Sequence, residues 1–173
     1  YITDGWIPYV TDNNLMQGYS GTKRFGPDEN ITRAQVATVL YRSVYPDATD
    51  TIKPGDFAKK NTTGFGDVEK QQYYTAAVNW AKSSKIITGY TGGVLRGKFA
   101  PYNNITREEL AAMIERFVAY KGQSTKNAPS SALKTLQDYK KVSSWAKNSF
   151  AYCTTKKIIT GVNNKYAEPQ GLA

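Results

Sequence analysis

Two arginines stand where helix electrostatics would not choose a cation. In ENITRAQVATVL, residues 29–40, Thr32 and Gln35 have the spacing of a capping box, and Arg33 takes the first helical position. In NNITREELAAMI, residues 103–114, Thr106 and Glu109 repeat the box and Arg107 repeats the arginine. Each guanidinium lies at a helix end whose unpaired N–H groups already carry partial positive charge. One chemistry would use this: an anion docked at the helix start, held by N–H groups, dipole and a forked guanidinium matched to a carboxylate. The alternative is structural, with each arginine solvated or paired to a carboxylate such as Asp28 or Glu108. The caps start both helices without the arginines. Replacing Arg33 or Arg107 by Ala is therefore expected to spare folding and to remove binding.

Further candidates cluster around three glycines. Leu15-Met16-Gln17-Gly18-Tyr19, Ile86-Ile87-Thr88-Gly89-Tyr90 and Ile158-Ile159-Thr160-Gly161-Val162 share one pattern: two large apolar residues, a polar residue and Gly. Positive φ at or after a helix end is expected at Gly18, Gly89 and Gly161. Tyr19 and Tyr90 follow two of these glycines and either stack on a ligand or cap the core. Trp6 and Trp145, near helix starts, are candidate platforms for a sugar ring, whereas Trp80 in mid-helix is expected in the core. Lys70, Lys85, Lys156 and Lys157 surround the glycine turns and read as solvated.

Catalysis has little to work with. The 173 residues contain no histidine, which removes Ser-His-Asp chemistry and the commonest metal ligand. Cys153 is the single cysteine; with no His to activate it, it reads as an inert buried thiol. No metal site, cofactor or catalytic residue is assigned. The 23 Lys+Arg against 14 Asp+Glu give a formal charge of +9, which points to an anionic partner. Nucleic acid is disfavoured, because the charge is spread over loops and no binding motif accompanies it. No apolar run reaches the roughly 18 residues of a membrane helix.

These residues sit on a repeat. The glycines at 18, 89 and 161 give a period of about 71 to 72 residues. Helices are expected over Trp6–Asn14, 73–84 and 143–157, each ahead of a glycine turn. Capped helices are expected at 32–45 and 106–120, packed on each other through Val36, Val39, Leu40, Leu110, Met113, Ile114 and Phe117. The connectors, 45–67 and 121–138, are long for pure coil, and short helical turns are expected near Pro54–Phe57 and Ser131–Leu136. The fold class is mainly α. The repeats divide the chain into 1–46, 47–122 with its long connector, and 123–173. The start at Tyr1 reads as mid-element, so a targeting sequence is expected outside these residues. Pro169 aligns with Pro27 and Pro101, which puts Ala173 in the place of Ile31 and Ile105 and leaves the third repeat incomplete.

A tryptophan-bearing helix, the glycine turn, Phe25-x-Pro27 or Phe99-x-Pro101, and then Ile-Thr-Arg opening an apolar helix resemble the S-layer homology family, over nearly the whole chain. The resemblance implies three helix–turn–helix repeats in a pseudo-threefold, spindle-like arrangement. It implies a non-catalytic, extracellular module of Gram-positive bacteria and relatives, fused to a parent protein. Such a module would tether that protein to anionic, often pyruvylated, secondary cell-wall polysaccharide. The implied ligand grooves lie between adjacent repeats, with the motif arginines Arg33 and Arg107 and the backbone of Gly18 and Gly89 in them; Tyr19, Tyr90, Trp6 and Trp145 complete the candidate ligand-binding residues. The other class of reading is a structural or protein-interaction module that keeps the scaffold without binding glycan.

Overall fold

The structure is a computed structural model that describes residues 5–19, 21–22, 24–46, 60–126 and 128–173. Its helices are α1 (Trp6–Asp12), α2 (Arg33–Val44), α3 (Thr75–Ser83), α4 (Arg107–Tyr120) and α5 (Lys147–Thr155). A 3-10 helix over Ser130–Thr135 supplies the helical turn expected in the second connector. The turn expected near Pro54–Phe57 lies outside the described residues. Among the described residues, β-pairing is confined to the isolated bridges Thr106–Leu172 and Val162–Tyr166, so the class is mainly α.

Both capping boxes form. Thr32 accepts from the Gln35 N–H while the Gln35 side chain accepts from the Thr32 N–H; Thr106 and Glu109 do the same. The helices before the glycine turns end on a different device from the one expected. Asn14, Lys85 and Lys157, four residues ahead of each glycine, take the left-handed conformation. Chain-reversing bonds follow: Leu15 N–H to the Val10 carbonyl, Ile87 N–H to Ala81, Ile158 N–H to Cys153. Gly18 and Gly89 then have positive φ, as expected, but Gly161 is not among the positive-φ residues. What all three glycines share is close approach. A Cβ would lie 2.6 Å from the Arg24 carbonyl oxygen at Gly18, would collide with the Phe65 ring at Gly89 and would lie 2.7 Å from Leu136 at Gly161.

The chain forms two compact units. One takes in the described residues up to Ser83 together with Ile87–Asn103; the other takes in Ser84–Ile86 and Asn104–Ala173. In the first, α2 packs on α3; in the second, α4 packs on α5. Inside its unit each capped helix packs on the helix that follows it in sequence; α3 carries Trp80, and Trp145 lies just ahead of α5. The buried face is also rotated. Val36 and Met113 are buried, but Val39, Leu40, Leu110, Ile114 and Phe117 are only half-buried. The deepest positions are Ala34 and Ala37 on α2, and Ala111 and Ala112 on α4. Small residues at buried positions allow close backbone approach, and Ala111 is part of the core that Phe150 and Cys153 build.

Around these contacts the first unit buries Phe65, Tyr74, Val78 and Phe99. The second builds its core from Leu133, Leu136, Val142, Phe150, Cys153, Ile159 and Ala167. Phe150 is fully buried and contributes on the order of 2–3 kcal/mol by area. Trp80 is half-buried, in a ring cluster with Tyr41 at 5.6 Å and Tyr45 at 6.3 Å.

Candidate functional site

The two motif arginines do the same thing in their respective units. The Arg33 Nε–H donates to the carbonyl of Phe99 at 2.8 Å, and the Arg107 Nε–H donates to the carbonyl of Ala167 at 2.9 Å. The helix-start N–H groups join in. Arg33 N–H donates to Asn103 and Ala34 N–H to Pro101; Arg107 N–H donates to Gly171 and Glu108 N–H to Pro169. Each helix N-terminus thus grips three alternate carbonyls: 99, 101 and 103 in one unit, 167, 169 and 171 in the other. This explains a cation on a positive helix end. The partial negative charge of the carbonyls offsets both the dipole and the guanidinium, and N–H groups that would otherwise need solvent are paired. The alternative pairing with Glu108 is not what forms. Glu108 is buried and accepts from Ser143 N–H and Oγ–H at 3.0 and 2.9 Å.

The gripped turn is held from its other side by an aspartate. Asp67 accepts from Phe99 N–H at 3.0 Å and Ala100 N–H at 2.7 Å; Asp138 accepts from Ala167 N–H and from Glu168 N–H at 3.0 Å. Burial works against the charged form of Asp138, but these donated N–H bonds outweigh it and hold its carboxyl below the ordinary range. The turn needs the support. Ala100 and Glu168 have φ of 54° and 42°, where Gly26 stands at the matching position of the first repeat with φ 68°. The carboxylate pairs two successive N–H groups around each strained residue.

The surroundings of the two arginines differ. Arg33 is 6% exposed, and its guanidinium carbon lies 4.5 Å from the centre of the Tyr90 ring and 5.1 Å from that of Phe99. Arg33, Gly89 and Tyr90 are thereby brought together, with Tyr90 half-buried over the guanidinium. Arg107 is half-buried, and a second donor, Nη2–H, reaches the Thr160 carbonyl at 2.7 Å. Its neighbour beyond Gly161 is Val162, so no ring stacks there. Burial lowers its pKa, with Glu168 and Asp138 pulling the other way, and it stays charged throughout the ordinary pH range.

Gly18 and Tyr19 sit at another site in the first unit. A cavity of about 400 Å³ opens there, lined among others by Gly18, Tyr19, Phe25, Gln35, Arg42 and Tyr73. The Tyr19 hydroxyl donates to Glu29, which raises the phenol pKa. Trp6 and Trp145 are 70% and 54% exposed. Cys153 is buried, and desolvation pushes its thiol up to about 12.

Two side-chain pairs carry more of this architecture than the sequence reading gave them. Asp67 and Asp138 precede the second and third of the helices that lead into the glycine turns, and their separation matches the repeat. Arg42 and Arg116, each nine residues after a motif arginine, were not singled out. Arg42 donates to the carbonyl of Leu15 at 3.3 Å and Arg116 to that of Ile86 at 3.4 Å, tying each capped helix to its own glycine turn. The signal was periodicity of polar residues, which is easy to overlook beside an apolar stripe.

Comparison with known proteins agrees with this pattern. The family model of the S-layer homology domain matches residues 7–37 and 64–111, and both segments run past a motif arginine into its helix. The chain is 35% identical over 114 residues to a cellulosome-anchoring protein of Acetivibrio thermocellus, covering 64% of this chain and 22% of that protein. It is 33% identical over 106 residues to a surface layer protein of Brevibacillus choshinensis, covering 61% and 8%. It is 28% identical over 177 residues to an amylopullulanase of Thermoanaerobacterium thermosulfurigenes, covering 99% and 8%. The chain thus spans a small fraction of each of these proteins. With the capped Ile-Thr-Arg helices, the glycine turns and the Phe-x-Pro turns all in place, the matched segments 7–37 and 64–111 carry the S-layer homology repeat.

Proposed function

We propose that this chain is a non-catalytic module that holds a larger protein at the cell surface by binding anionic secondary cell-wall polysaccharide, pyruvylated chains included. The observation that carries the reading is a motif arginine beside a glycine turn, twice: Arg33 under Tyr90, and Arg107 on the carbonyl of Thr160 next to Gly161. A cation, joined at Arg33 by an aromatic face, suits an acidic sugar. Arg107, half-exposed, would make direct contact, while buried Arg33 would shape the groove and supply potential. Tyr19, Tyr90, Trp6 and Trp145 would offer ring faces, and the backbone at Gly18 and Gly89 would line the groove. Names borne by relatives, such as cellulosome-anchoring protein and surface layer protein, support a wall location. The net charge of +9 supports an anionic ligand.

The test is sedimentation of the protein with purified cell-wall sacculi, before and after extraction of the secondary polymer, over a salt series. Binding is expected only to the unextracted wall and to weaken with salt, since exposed charges are screened over about 10 Å at 0.1 M. Equal binding to both walls would sink the proposal. One observation favours a second reading, a structural or protein-interaction module without glycan binding. The helix-start N–H groups and both arginine Nε–H groups already have carbonyl partners inside the chain. Absence of wall binding together with a stable fold would select it.

A further inference from the structure

Along the sequence the lysines look scattered, but the fold divides the net charge unequally. Residues 84–86 and 104–173, the second unit, hold 12 Lys+Arg against 5 Asp+Glu, and the remaining residues hold 11 against 9. The second unit therefore carries +7 of the chain's +9. Its ten lysines are all exposed, whereas its two arginines, Arg107 and Arg116, are half-buried and bonded to backbone carbonyls. Four of its five acids are engaged inside the chain. Glu108 accepts from Ser143, Glu109 from the Thr106 N–H, Glu115 from the Thr125 hydroxyl, and Asp138 from the N–H groups of Ala167 and Glu168.

Four of the lysines are drawn together by backbone contacts. Residues 134–141 and 165–170 lie side by side. The Gln137 N–H donates to the Lys165 carbonyl at 2.8 Å, Asp138 holds Ala167 and Glu168, and the Gln170 side chain donates to the Lys141 carbonyl at 3.1 Å. Lys134, Lys140, Lys141 and Lys165 thus stand, exposed, on two adjoining segments. Among the described residues none of the four forms an ion pair. Asp138 lies within electrostatic reach of Lys141, but both of its oxygens already accept N–H groups. Like charges gathered in this way repel one another, and a bound polyanion relieves that repulsion.

We infer that this lysine face docks a flexible phosphodiester chain of the polyol-phosphate type, through a surface that does not include the motif arginines. A lysine is a compact point charge without a fixed fork. A face whose exposed cations are all lysines therefore reads charge density, where an arginine fork reads the shape of one acid group. Four such charges on two short segments call for an anion on every unit of the partner and for a backbone loose enough to meet them. A polyol phosphate has both, and a glycan with one acid group to several stiff rings has neither. The inference does not rest on glycan binding at the arginines. The probe below carries no carboxylate and no sugar ring, so either reading can fail alone.

The test titrates a glycerol-phosphate oligomer into the 173-residue protein at about 50 mM salt, followed by backbone amide shifts and by the anisotropy of a labelled oligomer. Saturable shifts are expected along residues 134–141 and 163–168. Affinity should fall with salt on a log–log slope of about 3, at roughly 0.7 for each of four phosphates met by a lysine. Protein carrying Lys134→Gln, Lys140→Gln, Lys141→Gln and Lys165→Gln together should melt close to the parent and bind at least tenfold more weakly. A charge-matched control replaces four exposed cations of the first unit, Lys60→Gln, Lys70→Gln, Arg96→Gln and Lys98→Gln, and should bind within about threefold of the parent. Equal weakening in the two variants would reduce the effect to net charge and overturn the inference. So would shifts confined to other residues, or no saturable binding up to millimolar oligomer. Single-stranded DNA of the same phosphate count, with a base on every unit, should bind more weakly; binding as tight as that of the oligomer would reassign the surface to nucleic acid and overturn it too.

Discussion

Replacing Arg33 by Ala separates a structural task from a binding task. The change removes the Nε–H bond to the Phe99 carbonyl at 2.8 Å, in surroundings where Phe99 is 0% exposed. It also removes a guanidinium 4.5 Å from the Tyr90 ring centre. A hydrogen bond from a charged donor contributes roughly 1.5–3 kcal/mol, and leaving its acceptor buried and unpaired costs about 1–3 kcal/mol, largely the same loss counted from the other side. The stacked cation adds about 0.5–2 kcal/mol. Two effects oppose these. The guanidinium need no longer be desolvated, and removing a cation from the positive helix end returns about 0.3–1 kcal/mol. The net expectation is a loss of about 2–3 kcal/mol in the first unit. Arg33→Lys keeps the charge without the fork and should fall between. Urea unfolding followed by circular dichroism on the parent, Arg33→Ala and Arg33→Lys reads this directly. If Arg33→Ala unfolds within about 0.5 kcal/mol of the parent, Arg33 does not hold the turn, and the expectation drawn from capping alone, that the arginine is dispensable for folding, is right after all.

Four further outcomes are expected. Ala100→Gly should stabilise the protein by up to about 1 kcal/mol, because a left-handed Ala costs roughly 1–2 kcal/mol and Gly returns most of that less its own entropy; a lower unfolding midpoint would contradict it. Asp138 is held below its ordinary carboxyl range, so its contribution is complete above the unfolded value near 4 and is lost as pH falls through the folded one. Acid titration of stability should therefore be shallower in Asp138→Asn, and an unchanged profile counts against the clasp. Thr32→Ala should lower stability by about 1 kcal/mol through loss of the cap, measured by the same urea series. Cys153, with its thiol pushed up to about 12 by burial, should react with a maleimide at pH 8 only as fast as the protein unfolds, so rapid labelling of native protein would refute its burial.

Local signals settled the helix starts and the repeat. Thr32/Gln35 and Thr106/Glu109 are contacts three residues apart, and the chain cannot form those helices without offering those bonds. The mainly α class, the two capped helices and the 3-10 turn of the second connector follow from the same short-range pattern. The helix-ending residues were legible in principle but misplaced: Asn14 beats a glycine four residues on, and Lys85 and Lys157 take the left-handed state without being glycine at all.

What only the tertiary structure decided is who accepts from Arg33 and Arg107. Their acceptors lie 66 and 60 residues away and are backbone carbonyls, which every residue possesses and which leave no mark in a sequence. An arginine on a helix start looks the same whether it awaits a ligand or clasps a turn. The buried face was decided there too. An apolar stripe reports that a helix has a covered side, but the burial of Ala34, Ala37, Ala111 and Ala112, while Val39, Leu40, Leu110 and Phe117 stay half-buried, was set by the packing around them. Hydrophobicity ranks residues by transfer free energy, while packing ranks them by the distance between backbones, and only the fold sets that distance.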